Sequence, residues 1–100
     1  MSVKMDVPKG KIKDFCRRNG IRRLSFFGSV LRDDFAAESD VDVLVEFEPE
    51  TRVGLIGFAG IENELSELIG RKVDLNTAKC LSPYFRDEVL REAQTAYEQA

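Results

Sequence analysis

Alternating apolar and polar positions mark the middle of the chain. Val41, Val43, Val45 and Phe47 alternate with Asp40, Asp42, Leu44 and Glu46, the period of a β-strand with one face on a core. Ile21–Phe27 reads as an earlier strand that stops at Gly28, and Lys72–Asn76 as a later one with Val73 and Leu75 on one side and Asp74 on the other. Helical spacing surrounds these strands. Pro8 suits the first turn of a helix to about Asn19, where Ile12, Phe15 and Cys16 share a face and Gly20 caps the end. Val53–Ile69 repeats the pattern with Phe58, Ile61, Leu65, Leu68 and Ile69. Gly54, Gly57 and Gly60 weaken its first half, and Gly70 closes it. A short helix is predicted over Ser29–Phe35. A last one runs from Ser82-Pro83 to about Glu98, with Phe85, Val89, Ala93, Ala96 and Tyr97 inward. Met1–Val7 is a lead-in or a short edge strand. Ala36–Ser39, Glu48–Arg52 and Thr77–Leu81 are loops.

The resulting order alternates helix and strand, beginning and ending with a helix. It predicts an α/β (α+β) domain, a small mixed sheet with helices packed against it. There is no internal repeat, low-complexity stretch or linker, so residues 1–100 are expected to be one domain. No apolar run approaches the length of a membrane span. Cys16 and Cys80 lack metal-site spacing and read as free thiols of a reducing, cytoplasmic setting.

Charge is uneven. Residues 1–32 hold nine Lys/Arg against two acids, and residues 33–100 hold six against sixteen. Lys9, Lys11, Lys13, Arg17, Arg18, Arg22 and Arg23 could meet an acidic partner, a nucleotide or a nucleic acid, or simply form a solvated face. No aromatics are interleaved to stack bases, which argues against nucleic acid. The chain has no histidine, which excludes Ser-His-Asp and Cys-His catalysis and the usual zinc sites. Its available ligands are oxygens, so a bound metal should be hard, Mg²⁺ or alternatively Mn²⁺.

Asp40 and Asp42 are the acids in question. At i and i+2 of a strand they point the same way, with Cα atoms roughly 6–7 Å apart. Two like charges there do not serve a core, but a divalent cation reverses that logic. Upstream, Gly28 lets the backbone approach a ligand, and Ser29 adds a hydroxyl where the first free N–H groups of a helix point outward. A phosphate cradle beside a metal-binding acid pair suits a triphosphate with magnesium.

Gly28-Ser29, then Arg32, Asp34, Ser39-Asp40 and Asp42, resemble the motif of the minimal nucleotidyltransferases, small relatives of the DNA polymerase β superfamily. The family pattern is Gly-Ser, a short helix with an Arg, Ser-Asp-x-Asp on the next strand and a further acid on a later one. Asp74, in Arg71-Lys72-Val73-Asp74-Leu75, is at the expected place. The resemblance extends over nearly the whole chain, through Leu81-Ser82-Pro83-Tyr84. It departs at Asp33, where many members have Gly.

The resemblance implies a polymerase β palm-like fold and transfer of a nucleoside monophosphate, AMP from ATP, to an acceptor hydroxyl. By the same resemblance Asp40, Asp42 and Asp74 would hold two Mg²⁺ ions, and Asp74 would take the acceptor's proton. Gly28 and Ser29 would hold the β- and γ-phosphates, and Arg32 would add charge stabilisation. With little surface for choosing an acceptor, the chain is expected to work in a hetero-oligomer. The implied partner is a HEPN-domain RNase toxin, whose tyrosine receives AMP from this chain acting as antitoxin. Two alternatives stand beside this: an antitoxin that neutralises by binding alone, and a transferase acting on RNA or a small molecule.

Overall fold

The computed structural model describes residues 8–28 and 40–99. The predicted helix over Ser29–Phe35, the Ala36–Ser39 loop and the Met1–Val7 segment lie outside them. The described elements are α1 (Lys9–Arg18), β1 (Ile21–Phe27), β2 (Val41–Phe47), α2 (Leu55–Ile69), β3 (Val73–Asn76), a 3-10 turn (Ala78–Cys80), α3 (Arg86–Glu92) and β4 (Gln94–Glu98). The sheet order is β3-β2-β1-β4. β1 runs antiparallel to β2 and β4, and β2 runs parallel to β3. A parallel pair cannot be joined by a tight turn. Here α2 is the crossover, and Gly70 ends it in the left-handed conformation, at φ 80°.

Alternation along the strands sorts the side chains into two layers. Leu24, Phe26, Val41, Val43 and Val45 meet Ile12 and Phe15 of α1 and Ile61 and Leu65 of α2 in the main core. In β1, Ile21 and Leu24 are three apart yet both buried. An irregularity in the pairing between Ile21 and Arg23 places one extra β1 residue there, which turns both toward the core. On the opposite face Phe27, Leu44 and Leu81 form a smaller cluster with Val89 and Ala93.

The last predicted helix is corrected. Only Arg86–Glu92 is helical, and Gln94–Glu98 is a strand that covers the outer edge of β1. Val89 and Ala93 pack as their helical spacing implied, but Ala96 and Tyr97 reach the main core from β4. Backbone pairing to an otherwise open edge overrides the local helical pattern. Side chains reinforce it: Arg23 donates to Glu98 Oε2 through Nη2 at 2.6 Å and Nε at 3.0 Å.

Part of the uneven charge is met by ion pairs across the fold. Arg18 pairs with Glu64 at 2.7 Å, Arg22 with Glu46 at 3.8 Å and Arg23 with Glu98 at 2.6 Å. Basic residues of the first third therefore meet acids of the remainder across the fold. These exposed pairs are each worth about 0–1 kcal/mol.

Leu65 is 0% exposed and Leu55 91% exposed. Leu65→Ala is expected to cost about 2–5 kcal/mol. Leu55→Ala stays within about 0.5 kcal/mol of the parent. Urea unfolding checks both, and equal losses would place the α2 core face wrongly.

Candidate active site

The antiparallel β1–β2 pair brings the end of β1 to the start of β2, so the residues around Gly28 meet the Asp40/Asp42 segment. Phe27 is the register partner of Asp42. Gly28, the next residue, has φ +73°. A Cβ built there would overlap Asp42 Oδ2 and lie 3.2 Å from its Cγ. Both the dihedral and the space require glycine.

The parallel β2–β3 pair brings in the third acid. Val41 faces Val73, Asp42 faces Asp74 and Val43 faces Leu75. Because Val41, Val43, Val73 and Leu75 are all in the main core, Asp42 and Asp74 lie on the other face. Neighbouring strands stand about 4.8 Å apart, which sets the two acids side by side. Asp42 is partly buried, and Asp74 is exposed. Asp40 is exposed immediately before β2. Among the described residues no group of three or more His, Cys, Asp or Glu side chains gathers closely enough to hold a metal ion. Gly28, Asp42 and Asp74 are thus brought together by the sheet, with Asp40 at their margin. Ser29 and Arg32, with Asp33, Asp34 and Ser39, lie outside the described residues.

Further along the same face is a cleft of about 420 Å³ between the sheet and α3, lined by Leu44, Lys79, Leu90, Ala93 and Thr95 among others. It is missed from sequence because β4 forms one wall. The signal available was the Thr95-Ala96-Tyr97 run, rich in strand formers. The two thiols differ. Burial pushes Cys16 up to about 12, whereas hydrogen bonding from Thr77 holds the exposed Cys80 below its ordinary value. Neither approaches the acids as a metal-binding group.

Residues 9–95 match the model of the nucleotidyltransferase domain family. The chain belongs to that family. It is 38% identical over 80 residues to the protein adenylyltransferase MntA of Thermococcus cleftensis, a match covering 80% of this chain and 79% of that protein. Among solved structures, a toxin–antitoxin with AMP-PNP has a chain that superposes with a TM-score of 0.74 at 19% identity, covering 93% of this chain and 75% of that one. A complex of tri-AMPylated Shewanella oneidensis HEPN toxin with its MNT antitoxin gives 0.64 at 18% identity, over 91% and 70% of the two chains. These two likenesses establish the nucleotidyltransferase fold. The four-stranded mixed sheet agrees with the predicted architecture, apart from the strand gained at the end.

Gly28→Ala should lose about 1–2 kcal/mol from the left-handed backbone alone, and more from displacing Asp42. Gly10→Ala has nothing within 4 Å of the new methyl. At the second position of α1, in its first turn, the change should instead be neutral or gain up to about 0.5–1 kcal/mol. Denaturant titration of the two variants checks the contrast, and a neutral Gly28→Ala would contradict the close approach.

Proposed function

We propose that this nucleotidyltransferase moves AMP from ATP to a hydroxyl of a partner protein, a tyrosine of a HEPN-type RNase toxin, and acts as its antitoxin. The observation that carries the reading is the register of Asp42 beside Asp74 next to the Gly28 turn. The identity to a named protein adenylyltransferase and the fold shared with antitoxin chains support the choice of nucleotide and acceptor.

The donor type suits a hard divalent cation: Asp42 and Asp74 offer carboxylate oxygens on one sheet face, without histidine, although the described residues do not gather three acids as a formed metal group. Asp40, Asp42 and Asp74 would hold Mg²⁺, with Mn²⁺ as a substitute. When bound, two such ions supply Lewis-acid stabilisation of the attacking and leaving oxygens. Gly28 and Ser29 orient the triphosphate through backbone N–H groups and the hydroxyl, and Arg32 adds positive charge toward it. The acceptor oxygen bonds to the α-phosphorus as the bond to the β-bridging oxygen breaks. Pyrophosphate leaves, and Asp74 accepts the acceptor's proton. Positioning in line is the protein's main contribution.

On this reading a hetero-oligomeric contact presents the acceptor, in keeping with the toxin–antitoxin complexes whose chains share the fold. Nucleic acid is a weaker acceptor on this reading, because no aromatics are interleaved with the basic residues to stack bases. Among the described residues no helix is long and apolar enough to cross a membrane. The free thiols Cys16 and Cys80 support work in the cytoplasm.

The test combines purified chain, Mg²⁺, α-labelled ATP and the protein encoded beside it, with intact-mass detection. The expected result is gain of AMP on the partner, reduced roughly a hundredfold or more in rate by Asp42→Asn, the loss of several kcal/mol of transition-state stabilisation. A tight complex that neutralises the partner equally well with Asp42→Asn, and without AMP on either chain, would replace this reading with an antitoxin that acts by binding.

A further inference from the structure

β3 lies at the edge of the sheet, paired with β2 on one side only. Its outer N–H groups would ordinarily face solvent or another strand. Here they are taken by two side chains of α2. The Val73 N–H donates to Ser66 Oγ at 3.0 Å, and the Leu75 N–H donates to Glu62 Oε2 at 2.8 Å. Ser66 in turn donates its hydroxyl proton to the Glu62 carbonyl at 2.9 Å.

The two acceptors are four residues apart on a helix, an axial rise of about 6 Å. The two donors are two residues apart on a strand, about 6.6 Å. The helix thus presents a two-rung ladder of nearly the strand's own spacing, and Asp74 is the residue between the rungs. Packing of α2 on the sheet does not need this ladder, since Ile61 and Leu65 supply the buried apolar contact. What the ladder adds is longitudinal register. A slip of one residue would turn Asp74 to the core face, and a slip of two would carry it past Asp42. Glu62 is a carboxylate acceptor, which gives the stronger, charge-assisted bond on the rung just after Asp74.

We propose that Glu62, with Ser66, is a positioning residue of the transferase site: it clamps the outer edge of β3 and so holds Asp74 beside Asp42. The proposal rests on the reading of Asp74 as a site residue. It assigns α2, which touches no part of the acid face, a role in the geometry of that face.

The test uses the full chain with Mn²⁺ as the probe, titrated by electron paramagnetic resonance in the presence of a non-hydrolysable ATP analogue. Asp74→Asn reports on the site itself. Glu62→Leu removes the acceptor, and Glu62→Gln keeps an amide oxygen at similar reach. Glu62→Leu should weaken Mn²⁺ binding on the order of tenfold or more, as loss of an outer-shell support does. Glu62→Gln should stay within roughly threefold of the parent, because an acceptor remains. In AMP transfer, Glu62→Leu should lower kcat with the KM for ATP unchanged, and Glu62→Gln should restore it. Leu68→Ala, which weakens α2 packing without touching the ladder, should leave Mn²⁺ affinity at the parent value. Parent-like Mn²⁺ binding and kcat in Glu62→Leu, with Asp74→Asn impaired, would overturn the clamp and leave the site standing. An unimpaired Asp74→Asn would remove the site reading and the clamp together. If Glu62→Leu does not fold, Ser66→Ala carries the same comparison through the other rung.

Discussion

The account depends on the register of one short parallel pair. β2 and β3 share the hydrophobic core through Val41, Val43, Val73 and Leu75, and this burial fixes how the strands lie along one another. Asp42 and Asp74 then have no freedom to separate. Two carboxylates at one strand spacing repel, and the fold opposes that repulsion with apolar burial on the other face of the same strands. A cation bound between the two acids would turn that repulsion into shared attraction.

The layers divide the labour. The α1 and α2 side of the sheet is apolar and closed, and the acid side is partly open. Gly28 links the two: it ends a buried strand, and the absence of its side chain leaves room for the Asp42 carboxylate. The neighbouring cleft, walled by α3 and β4, extends the acid face toward the chain's last strand. Of the seven basic residues that might have advertised a nucleic-acid surface, Arg18, Arg22 and Arg23 are engaged in pairs that tie α1 to α2 and β1 to β2 and β4.

Much of this was legible in the sequence because the signals were local. The alternation in Val41–Phe47 and the helical spacing of Ile12, Phe15 and Cys16 reappear as β2 and α1 nearly residue for residue. Gly28, Asp40 and Asp42 were picked out by residue type and spacing and Asp74 through the family resemblance; the sheet brings Gly28, Asp42 and Asp74 together, with Asp40 adjoining. What was not legible depends on distant partners. Residues 94–98 continue the helical pattern of α3, and only the open edge of β1 makes them a strand. The parallel direction of β3 and the opposition of Asp42 to Asp74 are likewise properties of pairing. Glu62 and Ser66 look like ordinary polar positions of an amphipathic helix, and their hydrogen bonds to β3 emerge only once α2 has crossed over.

The most direct test is a crystal structure of the chain grown with Mn²⁺ and a non-hydrolysable ATP analogue, with the metal located by its anomalous scattering. The account predicts manganese on the acid face with Asp42 and Asp74 among its ligands, and the triphosphate against the Gly28 backbone. Metal and triphosphate bound away from β2 and β3, or ligated without Asp74, would contradict it.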